Sequence, residues 1–178
     1  KSIQLSKIPI NILIRPRGGN FQFSNNEIGK MFESINRFKR FNIEGFVVGF
    51  LDGNNNLDPK ILEEFRSMSS GYDLTFHRAF DYLVDQKKSL ELLIENNFDR
   101  ILCSGSKIDS EKGIENLINL KQIANDKITI MPGGGINSRN FNLFKKSGFQ
   151  QIHLSGINKN ISLDSDYNII REIIEMSK

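Results

Sequence analysis

The residues here with chemistry to offer are few: two histidines, one cysteine, and several arginines and serines set beside glycine turns. His77 stands in Thr75-Phe76-His77-Arg78-Ala79-Phe80-Asp81. An imidazole works near neutral pH as a general acid or base, or as a metal ligand. His77 is therefore a catalytic candidate, and Asp81 a second one that would orient either His77 or Arg78. The plainer alternative is a hydrogen-bonded histidine closing a turn. His77 and His153 are also the candidate metal ligands. Arg15-Pro16-Arg17-Gly18-Gly19 places two guanidiniums beside glycine amides, a set that can hold a carboxylate or phosphate in bidentate fashion; a turn whose arginines bond nearby carbonyls is the competing account. Met131-Pro132-Gly133-Gly134-Gly135 offers backbone amides ahead of an expected helix, again suited to an anion, although any tight turn needs glycine too. Ser155 follows His153 in a similar small, polar stretch. Ser104-Gly105 is the last such place, while the adjacent Cys103 reads as a buried, inert thiol. HExxH, CxxC, GxSxG and P-loop motifs are absent from the sequence.

These residues recur at the ends of short apolar runs at 9–15, 45–49, 72–77, 99–103, 127–131 and 150–154, which read as strands. The run ends, near Arg15, Gly49, His77, Ser104, Pro132 and His153, are 34, 28, 27, 28 and 21 residues apart, about one βα unit each. Between them lie amphipathic stretches with helix starts: Ser24 and Glu27 as a capping box, Asp58 followed by Pro59, and Asp85, Ser110 and Ser138 as further caps. A last helix carries Tyr167, Ile170, Ile173 and Ile174. Residues 2–5 read as the tail of a helix.

Alternation within the strands selects the architecture. One face reads Asn11, Leu13, Arg15; Asp73, Thr75, His77; Arg100, Leu102, Ser104; Thr129, Met131; Gln151, His153. The other reads Ile10, Ile12, Ile14; Leu74, Phe76; Ile101, Cys103; Ile128, Ile130; Ile152, Leu154. An open sheet sandwiched between helix layers needs two apolar faces. A barrel needs one, with polar groups free to gather at its mouth. The expected fold is an α/β TIM-type (β/α)8 barrel, present as about six βα units in one domain over residues 1–178, with the N-terminal units missing. Ligands of such barrels sit at the carboxyl ends of the strands. Counting two absent strands, the glycine turn 133–135 follows strand seven, where phosphate is often held.

Composition narrows the function classes. Twenty-four basic and 21 acidic residues give a net charge of +3 without a basic stripe, so nucleic acid is not an expected partner. No apolar run reaches the roughly 18 residues of a membrane span, and no export signal is visible. A single cysteine permits no internal disulfide and fits a reducing compartment.

Taken together, Ile-Arg-Pro-Arg-Gly-Gly at 14–19, Gly-Phe-Val-Val-Gly at 45–49, Thr-Phe-His-Arg-Ala-Phe-Asp at 75–81, Arg-Ile-Leu-Cys-Ser-Gly at 100–105, Met-Pro-Gly-Gly-Gly-Ile at 131–136 and His153 resemble the CutC family, named for copper homeostasis. Order and spacing match over roughly residues 8–157. The resemblance implies a TIM-type barrel, a cytoplasmic location, homo-oligomers and a role in copper handling, with copper as the implied ligand. The family's cysteine-containing second unit, where copper coordination has been suggested, has no counterpart here. Two functions thus stand side by side. One is copper handling without turnover. The other is an enzyme acting on a small phosphorylated or carboxylated metabolite, gripped by Arg15, Arg17 and the 133–135 turn, with His77 as acid or base.

Overall fold

The structure, a computed structural model, describes residues 6–157 and 165–178; the helix tail expected at residues 2–5 lies outside them. Strands β1 (Asn11–Leu13), β2 (Gly45–Val48), β3 (Asp73–Phe76), β4 (Arg100–Cys103) and β5 (Thr129–Pro132) form one parallel sheet in the order β1-β2-β3-β4-β5. Asn11 pairs with Gly45, Gly45 with Asp73, Thr75 with Arg100, and Arg100 with Thr129. A doubly wound sheet reverses its order at a switch point. Strictly sequential neighbours are instead how a barrel wall grows, so the chain forms part of a (β/α) barrel.

Helices α1 (Asn25–Phe38), α2 (Pro59–Met68), α3 (Gln86–Glu95), α4 (Ile114–Ala124), α5 (Phe141–Lys146) and α6 (Tyr167–Ser177) fill the connections and the C-terminal end. The Ser24–Glu27 capping box, Asp58 with Pro59 at the first turn, and the Asp85 cap all form as the sequence implies. Two starts differ. Helix α4 begins at Ile114 behind Gly113, leaving Ser110 buried in the preceding turn. Helix α5 begins at Phe141 behind Asn140, two residues later than a Ser138 cap implies, and is only six residues long. Ser, like Asn, bonds the backbone of turns as readily as it caps helices, so a hydroxyl alone locates a start loosely.

Burial follows the alternation. Ile14, Phe46, Val48, Leu74, Phe76, Ile101, Cys103, Ile128 and Ile130 are buried in the cluster that also holds Met31, Ile35, Leu62, Phe65, Leu90, Leu93, Leu117 and Leu120 of the helices. At about 25 cal/mol per Å² of apolar surface, this single layer of contacts is the principal stabilising term. The opposite sheet face carries Asn11, Leu13, Thr75, Arg100, Leu102 and Met131 and borders a cavity. On β1 that face is open, with Leu13 58% exposed.

The sixth strand is a correction. Residues 150–154 make one parallel bridge, His153 with Gly133, and one bond from the His153 N–H to the Pro132 carbonyl at 2.8 Å. The segment lies beside β5, where a next strand belongs, but Gly156 turns the chain at φ 61°. Among the described residues no further strand pairs with it, so nothing extends the ladder.

Candidate functional site

The inward residues enclose a cavity of about 620 Å³, lined among others by Arg15, Phe21, Glu44, Thr75, His77, Arg78, Arg100, Leu102, Met131 and His153. Its mixed lining arises from strand pleat: every second residue of a parallel strand must turn from the helix layer, and those positions here hold Asn11, Thr75 and Arg100 beside Leu13, Val47, Leu102 and Met131.

Immediately after β3 the alternation breaks. Residues Arg78–Tyr82 wind into a 3₁₀ helix whose first turn is capped by the His77 ring, Nδ1 accepting the Ala79 N–H at 3.1 Å. The turn brings Arg78 round to the cavity. There Arg78 Nε donates to Asp81 Oδ2 at 2.9 Å and Nη2 donates to Ser104 Oγ at 2.9 Å. Asp81 Oδ1 accepts the Ser104 N–H at 2.8 Å, and Oδ2 lies 2.8 Å from the Ser104 hydroxyl. A buried carboxylate surrounded by donors fixes them in place. Asp81 thus holds Arg78 and Ser104 and makes no bond to His77.

His77 is 6% exposed. Burial pushes its pKa down to about 4; a backbone hydrogen bond at His77 itself acts the other way, and the nearby positive charge of Arg15 adds to the fall, so the ring is neutral at pH 7. Nε2 is closed to water and has no hydrogen-bond partner. Gly49 permits this placement: a Cβ there would come within 2.2 Å of the imidazole. Phe21 packs 4.9 Å from the ring, and the Arg15 guanidinium lies 4.7 Å over Phe21 while Nη2 donates to the Gly19 carbonyl at 2.6 Å. His153 stands at the rim; the protein packed against it, and then Arg78, lower its pKa.

The candidates divide accordingly. Arg15, His77 and His153 line one cavity, with Asp81 and Ser104 one layer behind it. Arg17 does not line it: its guanidinium donates to Glu27 at 2.6 Å and to the Gly18, Asn20 and Gln22 carbonyls, and so staples the loop to α1. Gly18 is exposed in that loop. Gly105 faces the helix layer, where an added Cβ would come within 2.4 Å of the Gly113 carbonyl. Ser155 and Gly135 are exposed outside the lining. In the glycine turn, the Gly133 N–H is spent on the Cys103 carbonyl at 2.9 Å. Glycine is needed there for space, because a Cβ on Gly133 would strike Leu102 and one on Gly134 would lie 3.0 Å from Arg78 Nη1. The short α5 removes the helix-dipole argument for that turn. Four charged or aromatic cavity residues escaped the sequence reading as ligand contacts, among them Glu44, which precedes β2. Arg78 has outward parity in a continued strand, and only the 3₁₀ turn reverses it. Arg100 is on the inward face by parity and pairs with Asp73 at the cavity floor, one guanidinium nitrogen remaining unpartnered. Phe21 carries no local signal.

Copper can be weighed against these donors. Soft thiolate suits Cu(I), but Cys103 is fully buried on the helix side, and burial, then Asp81, raises its thiol pKa. The described residues contain no cluster of three or more His, Cys, Asp or Glu side chains placed to hold a metal. The His77 lone pair at Nδ1 is engaged by Ala79, and cationic Arg78 stands near His153. The donor set does not fit a resident copper ion. No helix among the described residues is long and apolar enough to cross a membrane.

The comparisons with known proteins agree with this architecture. A family model described as CutC family matches residues 1–158. A family protein CutC of Bacteroides fragilis (strain YCH46) is 36% identical over 152 residues, covering 85% of this chain and 61% of that protein. The copper homeostasis protein cutC homolog of Homo sapiens is 35% identical over 153 residues, covering 85% and 56%. The crystal structure of a CutC from Streptococcus agalactiae superposes with a TM-score of 0.78 at 34% identity, covering 85% of this chain and 74% of that one. The chain spans about three fifths of the length of the relatives it matches. On the strength of the matched profile, the identity across the barrel strands and the shared fold, this chain belongs to the CutC family.

Proposed function

We propose that the chain serves copper homeostasis, the role its relatives are named for, and that it does so by binding a small anionic ligand in the barrel cavity. One observation carries the second half: three guanidiniums, Arg15, Arg78 and Arg100, border the cavity against a single carboxylate in its lining, Glu44. Asp73 and Asp81 each offset one of these arginines from behind, whereas Arg15 bonds only a carbonyl. Such a site attracts oxyanions and repels a bare cation. Cytoplasmic location and homo-oligomer assembly, both implied by the resemblance, belong to the same proposal. An enzymatic version, turning over a phosphorylated or carboxylated metabolite, is favoured by one further feature, a neutral buried imidazole beside those arginines.

Isothermal titration of the full chain with inorganic phosphate, malonate and Cu(I) tests the reading. The expected result is saturable anion binding, weakened about tenfold by Arg15→Ala, in line with about 1.4 kcal/mol for a charge-assisted contact. Tight Cu(I) uptake abolished by His77→Ala and His153→Ala, with no response to either anion, would overturn it in favour of direct metal binding. Copper sensitivity of cells carrying Arg15→Ala tests the physiological half, and unchanged tolerance counts against it.

A further inference from the structure

We infer that His77 is a ligand-binding hydrogen-bond donor, presenting Nε2–H to an oxyanion in the cavity, and that it is neither a metal ligand nor a base. The inference rests on the reading of the cavity as an anion site and assigns one contact within it.

The tautomer follows from the partner on the other ring nitrogen. A backbone N–H can only donate, so Nδ1, which receives the Ala79 N–H at 3.1 Å, must present a lone pair. A neutral imidazole with an unprotonated Nδ1 carries its proton on Nε2. A metal at Nε2 would require the proton to move to Nδ1, where it would face the Ala79 N–H head on and uncap the 3₁₀ helix. Proton abstraction by Nε2 meets the same obstacle. What remains is donation. A held neutral imidazole can polarise or bind an oxygen in this way without changing its own charge.

The missing partner points the same way. An N–H buried without an acceptor is destabilising, and Nε2 has none and is shut off from water. His77 borders the cavity with Arg15 and Arg78, so an oxygen bound between those cations is the acceptor its surroundings favour. A ligand reaches Nε2 only when a neighbouring side chain shifts. Phe21 lies 4.9 Å from the ring, belongs to the cavity lining and sits on the irregular segment after β1, so a change of its rotamer would alter access to the imidazole. Glycine at 49 leaves room for the ring but not for movement toward β2, since a Cβ there already overlaps the imidazole. The donor is thereby held on the cavity side.

Nitrogen NMR of the full chain, labelled at histidine, tests this. Between pH 6 and 8, His77 is expected to show a protonated Nε2, an unprotonated Nδ1 and no titration. Addition of inorganic phosphate or malonate should shift the Nε2–H signal, and the anion with the larger effect names the ligand class. An Nδ1–H tautomer, or titration near the ordinary histidine value, overturns the inference without any ligand being needed. Calorimetry separates the two levels of the argument. Phosphate or malonate binding should fall about tenfold in His77→Ala, the loss of one good hydrogen bond to a charged group, and recover to within about threefold in His77→Gln, whose amide restores a donor. Anion binding that depends on Arg15 but ignores both His77 substitutions, with no Nε2 shift, defeats the His77 assignment alone. Absence of binding for both anions in the unaltered chain defeats the cavity reading and the assignment together.

Discussion

Proton uptake at His77 is an ionisation that the fold opposes. The imidazole has a folded-state pKa of about 4, because burial penalises its charged form, against about 6.5 in an unfolded chain. Above pH 6.5 both states are neutral, and the folded protein keeps its full stability with respect to this group. Between 6.5 and 4 the unfolded chain binds a proton that the folded chain refuses, so stability falls as pH falls. The ultimate loss is on the order of 3 kcal/mol. Urea midpoints followed from pH 7.5 to 4.5 should therefore decline, and His77→Gln should remove a large part of the slope while stability at pH 7.5 changes less. A slope equal in the two proteins would mean that His77 titrates with water access. Arg15 and Arg17 show how much such residue-level assignments depend on tertiary partners. Both carry the same group two positions apart, yet Glu27 claims Arg17 for the loop staple and Arg15 stays at the cavity. Nothing in the local sequence separates them.

At the scale of elements, the 3₁₀ helix Arg78–Tyr82 and the turn after β4 are joined by Asp81, whose carboxylate accepts from Arg78 and from the Ser104 backbone. Asp81→Asn removes the charge and aims an amide donor at groups that are themselves donors. The one amide oxygen can serve the Ser104 N–H or the Arg78 Nε–H but not both, and the donor left unserved costs about 2 kcal/mol. A lowered urea midpoint together with weaker anion binding, Arg78 no longer being held as firmly, is the expected pair of effects; an unchanged midpoint would show that the displaced donor finds another acceptor. This junction also marks where sequence reading stopped working. Period-two alternation is a strong signal when one face is buried, and it placed His77, Leu102 and Arg15 toward a common opening because a one-residue slip would bury charges in the helix layer. It fails as soon as the chain leaves the strand. Arg78 reaches the cavity through a 3₁₀ turn that has no sequence period of its own, and residues 150–154 alternate like a strand yet make only one bridge, since a ladder depends on a neighbour as well as on pattern. Ser110 and Ser138 mislead for a related reason: hydroxyls bond turn backbones and helix ends alike. The capping box at Ser24 was legible because two residues, Ser24 and Glu27, must agree.

For the whole molecule, the arrangement of charge counts for more than its sum. A net charge of +3 over 178 residues is small, but the sheet's inner face collects Arg15, Arg78 and Arg100 around one cavity while the helix layer backs the other face with hydrocarbon. A concave lining with three guanidiniums against the one carboxylate of Glu44, set on low-dielectric walls, focuses its field, so a weak overall charge still yields a local attraction for anions. The cavity is open along β1, where Leu13 faces solvent, and mobile ions therefore reach its rim. Screening lengths shorten from about 30 Å at 0.01 M salt to about 3 Å at 1 M. Arg15, at the open side and free of any acidic partner among the described residues, should feel this most; Arg78 and Arg100, each tied to a carboxylate, should feel it least. The affinity for malonate is accordingly expected to fall several-fold as sodium chloride is raised from about 0.02 M to 0.5 M, and the dependence should flatten in Arg15→Gln but persist in Arg17→Gln, whose cation is neutralised by Glu27. Calorimetric titrations at four salt concentrations measure both slopes. Equal slopes in the two variants would mean that the attraction comes from the general charge of the chain, and the concentration of guanidiniums at the barrel's inner face would then have no part in drawing the ligand in.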